Sequence, residues 1–148
     1  MPYSVAANYN RATPDSSGEC KLDMKVRLNR EKLLEGSPAE ALVSITNKTN
    51  AIIPMPIAII GLPGGLEPRH NQLKELVKSG KVDAYEVRGR EVVLYWRALD
   101  KNEKKEIPIS VIAAVPGKYT GPASRAYLYY TDEHKKWVDG LKVEIAAK

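Results

Sequence analysis

Residues 21–28 read KLDMKVRL, and their alternation decides the fold. Leu22, Met24, Val26 and Leu28 fall on one face of an extended strand, with Lys21, Asp23, Lys25 and Arg27 on the other. Successive strand side chains point to opposite faces, so this is the pattern of an antiparallel sheet with one dry face and one wet face. Working outward, the same short-strand pattern recurs. Strands are expected at Tyr3–Tyr9, Cys20–Leu28, Ala39–Thr46 and Met55–Ile60, separated by the turn-rich TPDSSGE, EGSP and NKTN. Val82–Val87, Glu91–Arg97, Lys105–Ala114, Ser124–Tyr130 and Leu141–Ile145 follow later in the chain. In YEVRGREVVLYW (residues 85–96), Arg88-Gly89 predicts a tight hairpin, because glycine takes the positive φ such a turn demands.

One stretch breaks this rhythm. Residues 61–80, GLPGGLEPRHNQLKELVKSG, place Leu66, Leu73, Leu76 and Val77 at helical spacing, with His70, Lys74 and Lys78 four apart on another face. Pro68 fits a first turn, where a missing N–H costs nothing, and Gly80 fits the left-handed residue after a helix end. Lys78 complements the negative end of the helix dipole. On the wheel Arg69 points toward the apolar side. Roughly nine short strands and one helix predict an all-β fold, an antiparallel β-sandwich with one α-helix; a parallel α/β domain would need a helix after nearly every strand.

The 148 residues, 43% of them hydrophobic, read as one domain, 1–148, with enough apolar side chains for a core that needs no disulfide. No apolar run is long enough to span a bilayer, and MPYSVAANYN lacks the basic start and apolar centre of a signal peptide. Export would then require that a signal has been removed. Twenty-three Lys and Arg against eighteen Asp and Glu give +5, scattered without a basic run, which favours acidic partners and argues against nucleic acid. Phe is absent, offset by eight Tyr and two Trp; Tyr95, Trp96, Tyr127, Tyr129 and Tyr130 are expected in strands as core or rim residues.

Reactive constellations are missing. His134 lies in TDEHKK, which reads as a polar turn, and the second histidine is on the helix, so neither a catalytic metal nor a cofactor is expected. Ser124 lacks a nucleophile-elbow context, and Cys20, the single cysteine, reads as a small residue near a strand start. Gly64 and Gly65 could approach an anion, but Pro68 removes a donor and Glu67 places a negative charge there. Asn47-Lys48-Thr49 is a formal glycosylation acceptor that reads as an exposed turn. No enzyme is expected.

Several motifs fall in a telling order: Gly61-Leu62-Pro63, LKELVKSG, VDAYEVRGREVVLYW, IPISVIAAVPG and YLYYTDE, with PYSVAANY and ECKLDMKVRL before them. With them the chain resembles the C-terminal receptor-binding domain of the alpha-2-macroglobulin family, the thioester-containing protease inhibitors. The patterns YTGPASRAYLYYTDEHKKW and YEVRGREVVLYWRAL look closer to bacterial-type members. The resemblance implies a non-enzymatic binding module whose helix, in animal inhibitors, carries two lysines read by an endocytic receptor of the low-density-lipoprotein-receptor family. Alignment of SGKVDAYEV places the second of these at Lys74 and puts His70 where the first would stand, with Lys78 a turn further on. A histidine is shorter than a lysine and mostly neutral at pH 7. Animal versions also tie this region to their C-terminal tail by a disulfide, for which VEIAAK offers no cysteine, and the thioester motif Cys-Gly-Glu-Gln is absent. The expected partner is a protein, either a receptor or other domains of a parent inhibitor, and the expected location is extracellular or periplasmic within a larger exported chain. The alternative is a purely structural packing domain without a dedicated receptor.

Overall fold

In the computed structural model, which describes residues 20–147 apart from the side chains of 131–133, the alternating stretch forms β1 (Leu22–Leu28). It lies at the edge of a four-stranded sheet with β3 (Pro38–Asn47), β10 (Lys104–Ala113) and β6 (Leu66–Pro68), in the order β1-β3-β10-β6. A second sheet has the order β13-β12-β5-β8-β7, built from Thr131–Val138, Ser124–Leu128, Pro56–Gly61, Glu91–Tyr95 and Ala84–Arg88. A smaller sheet joins β11 (Gly117–Thr120), β14 (Lys142–Ala146) and β2 (Lys32–Leu34), and β4 (Ile53–Pro54) pairs with β9 (Ala98–Leu99). Among the described residues every pairing is antiparallel except β14 with β2. This is the expected β-sandwich, and among the described residues its one α-helix is α1 (His70–Lys78).

Leu22, Met24 and Leu28 are buried, and Val26 packs against the core beside them. The same alternation buries Ile107, Ile109, Val111 and Ala113 of β10. Full burial of one such side chain stabilises by about 1.5–3 kcal/mol, against about 1 kcal/mol or less for an exposed ion pair. Apolar packing therefore holds the sandwich, and pairs such as Arg88–Glu86 add little. Strand β5 differs: all six of its residues are buried, Ala58 and Ile60 in the main core and Ile57 and Ile59 in a smaller cluster with Val93 on the other face.

The β7–β8 hairpin turns as expected at Gly89, with φ +57; pairing of Arg88 with Glu91 leaves a two-residue loop. Cys20 is buried just before β1, as expected.

Other expectations are corrected. Leu66 and Pro68 belong to β6, paired with Ala113 and Val111, so neither is helical; Pro68 suits a short strand because the ladder there needs few donors. Arg69 is exposed outside the helix rather than on its apolar side. TDEHKK is no turn: it is part of β13, an edge strand, where the successive Lys135 and Lys136 put charge on both faces and hide the alternation. Trp96 is buried and Tyr95 and Tyr127 are half-buried as expected, but Tyr129 and Tyr130 are 60% and 71% exposed at the turn between β12 and β13. The expected strand Tyr3–Tyr9 lies outside the described residues.

Within NKTN, read as an exposed turn, Lys48 and Asn50 are exposed but Asn47 is not. It is fully buried; its Nδ2 donates to the carbonyls of Ala51 (2.8 Å), Asp100 (2.9 Å) and Leu99 (3.2 Å). Its Oδ1 accepts from the N–H and the hydroxyl of Thr49, at 2.9 and 2.8 Å. One amide thus satisfies the backbone of two loops, and a glycan on Nδ2 has no room in this fold.

Candidate functional site

The helix is set by polar contacts as much as by apolar ones. Leu73 and Leu76 are buried and Val77 packs against the core, as the wheel predicts, with α1 lying against β10 and β7. At its start, Arg69 makes no side-chain cap; its N–H donates to Ser110 O at 2.9 Å, extending the β10 edge that β6 leaves open. One turn later Gln72 continues the ladder: its Nε2 donates to Pro108 O at 2.7 Å, and its Oε1 accepts from Ser110 N at 3.2 Å. Pro108 has no N–H to offer this edge, so the single amide of Gln72 suffices.

The helix end is equally fixed. Ser79 N donates to Glu75 O and Gly80 N to Val77 O, and Gly80 takes the expected left-handed φ of +81. Beyond it, Lys81 O accepts from the indole of buried Trp96 at 2.8 Å.

On this anchored frame Lys74, Lys78, His70 and Arg69 are all exposed. Lys74, Lys78 and Arg69 share a shallow concavity of about 510 Å³ with Asn71, Gln72 and Glu75; His70 does not line it. None of the three cations forms an ion pair among the described residues. The arrangement can receive a negatively charged group without first breaking an internal bridge. The other candidate groups are placed otherwise. Ser124 is buried and its Oγ accepts from Gly61 N at 2.9 Å, a structural use. His134 is half-buried on β13, and among the described residues no group of three or more His, Cys, Asp or Glu is placed to hold a metal ion. Sequence reasoning missed Gln72, whose one signal was Pro108 inside an otherwise regular strand, a residue that strands tolerate only where no donor is needed.

Residues 53–138, more than half of the chain, match the family described as the A-macroglobulin receptor binding domain. No curated protein matches the chain. Among solved structures, it is similar to trypsin-activated alpha-2-macroglobulin from Escherichia coli, at a TM-score of 0.67 and 14% identity, over 89% of this chain and 11% of that one. It is likewise similar to Salmonella alpha-2-macroglobulin reacted with methylamine, at 0.67 and 14%, over 90% and 10%. Native E. coli alpha-2-macroglobulin from domain MG7 to the C-terminus gives 0.66 and 14%, over 90% and 25%. At that identity the likeness is one of fold, and the chain spans only about a tenth of the length of the first two structures. With its family match running from β4 to the end of β13, across the helix and the hairpin, the chain belongs to the alpha-2-macroglobulin receptor-binding domain family.

Proposed function

We propose that this chain is the recognition domain of a longer, exported protease inhibitor of the bacterial alpha-2-macroglobulin type, acting outside the cell or in the periplasm by binding protein rather than by catalysis. In this reading residues 1–148 are one domain, Lys74 is the central contact, and Lys78 and His70 flank it. One observation carries the reading: a cationic ridge, free of ion pairs among the described residues, stands on a helix held at both ends by backbone bonds. A partner with clustered carboxylates would meet it with charge-assisted hydrogen bonds.

A second reading, a domain that only packs within its parent, is favoured by His70, which is shorter than the lysine the family pattern wants and lies outside the concavity. Surface plasmon resonance against a cluster of low-density-lipoprotein-receptor repeats separates the two. Binding that falls in Lys74→Ala and rises in His70→Lys supports recognition; absence of binding even in His70→Lys leaves the packing role.

A further inference from the structure

The turn joining β12 to β13 contradicts the chemistry of turns. Leu128 pairs with Thr131, so the two residues between them, Tyr129 and Tyr130, form the whole loop. Such loops favour Gly, Asn or Asp, and neither tyrosine adopts a positive φ. The two residues are 60% and 71% exposed, and their rings meet edge to face, with centroids 5.2 Å apart at 90°. The backbone beneath them is tied down. Tyr129 N donates to Met55 O at 3.0 Å, and Met55 N donates to Arg97 O at 2.8 Å. Met55 itself holds a φ of +51, a conformation that non-glycine residues rarely adopt and that tends to persist where surroundings enforce it.

We infer that the Tyr129–Tyr130 tip is a preorganised anchor for a neighbouring domain of the same polypeptide. This rests on the reading that the chain is part of a longer inhibitor. Tyrosine supplies large amphipathic contact area with few rotatable bonds, and these two rings already support one another, so little freedom is lost on docking. The receiving surface is an apolar pocket edged by carbonyl or carboxylate oxygens that accept the two phenol hydrogens. Size selects a tethered partner. The two tyrosines bury on the order of 500 Å² at most, short of the roughly 800 Å² per side of a free complex. A domain on the same chain is present at high effective concentration and needs no such area. The similar E. coli and Salmonella chains are about ten times longer than the part this chain covers, which leaves ample protein to supply that surface.

The test compares this chain alone with the natural gene product that carries it. The product's intact mass is measured first; a mass near 16.4 kDa would overturn both the longer-parent reading and the anchor. Both samples are then treated with N-acetylimidazole, which acetylates accessible phenols, and acetylation at each tyrosine is followed by peptide mass spectrometry. Tyr129 and Tyr130 should react readily in the chain alone and at least about tenfold more slowly in the parent, as a desolvated anchor requires. Tyr119, whose hydroxyl donates to Pro116 O within the domain, should react equally in both. Equal rates at Tyr129 and Tyr130 in a larger parent would overturn the anchor and leave the longer-parent reading intact. A Tyr129→Ser, Tyr130→Ser parent should expose residues 52–55 to faster hydrogen exchange than wild type. Unchanged exchange there would also overturn the anchor. Concentration-dependent dimerisation of the chain alone, abolished by Tyr130→Ser, would replace the tethered domain with a second copy.

Discussion

Gln72 hydrogen-bonds Ser110 as if it were the next strand of the sheet: the side-chain oxygen accepts the backbone N–H at 3.2 Å while its nitrogen donates to Pro108 O at 2.7 Å. Because Arg69 N also donates to Ser110 O, the helix and the open edge of β10 form one hydrogen-bonded unit. Removing the amide leaves a half-buried N–H and a carbonyl to find water. Gln72→Ala should therefore lose about 1–3 kcal/mol in urea melts, with Leu73 and Leu76 still packed. The Ser110 amide should exchange faster in the variant than in the wild type. Unchanged exchange would show that the clamp contributes nothing.

Asn47 should be the least replaceable polar residue among those described. Asn47→Asp keeps an acceptor for Thr49 but turns the other oxygen toward the carbonyls of Ala51, Leu99 and Asp100. A buried carboxylate facing three acceptors should cost roughly 3 kcal/mol or more at neutral pH. Burial raises the folded pKa of the new acid, so stability should recover as pH falls and the carboxyl regains a proton to donate. Denaturant melts at neutral pH and at about pH 4, each against wild type, read the difference.

How much of this was legible in the sequence depended on whether periodicity carried the information. KLDMKVRL declared β1 because its apolar residues alternate, and Leu73, Leu76 and Val77 declared the helix face because they recur at helical spacing. Strand β13 stayed hidden because TDEHKK is polar on both faces; what makes it a strand is pairing with β12, together with contacts such as Lys136 with Asp23 at 3.6 Å. Leu66 fits the helical wheel and yet lies in β6, since hydrogen bonding to β10 outweighs a spacing coincidence. Tyr129 and Tyr130 look like strand residues by propensity, and only the Leu128–Thr131 register shows that they form a turn. At the candidate site the cations were readable, but the clamp that orients them was not, because a lone glutamine has no periodic signature.

Tyr95 provides a pH-dependent check on the smaller cluster around Ile57, Ile59 and Val93, against which it packs. Burial foremost, then the negative charge of Glu86, raises its phenol above the ordinary 10.0. The folded state holds this proton more tightly than the unfolded chain, so the stabilisation is present below about pH 10 and fades as pH rises through the folded value. Replacing Tyr95 with Phe should flatten that alkaline loss. The difference in stability between the two proteins should change between melts at about pH 8 and about pH 11, the wild type losing more.

Leu76 tests whether the helix is seated as the wheel implies. Its side chain is 4% exposed, and Leu76→Ala should cost about 2–5 kcal/mol through lost transfer energy and a cavity. Lys78→Ala, on the exposed face, should change stability by about 0.5 kcal/mol or less. A loss below that small figure for Leu76→Ala would mean that the helix is turned the other way.

Lys74 decides between recognition and packing. A lysine ammonium held by several carboxylates behaves as a hot spot, so Lys74→Ala should cost on the order of 2–4 kcal/mol of binding to a receptor-repeat cluster. Because His70 is short and lies outside the concavity that Lys74 and Lys78 share, wild-type affinity should be weak. His70→Lys supplies a second long cation on the same helix face and should strengthen binding, with little effect on folding because the position is exposed. The contact is between solvent-facing charges, so affinity should fall as salt shortens the screening length from about 10 Å at 0.1 M toward about 3 Å at 1 M. Resonance measurements on wild type, Lys74→Ala and His70→Lys over that salt series test the three expectations together. Binding that ignores both salt and Lys74 would rest on some other surface and remove the ridge from the mechanism.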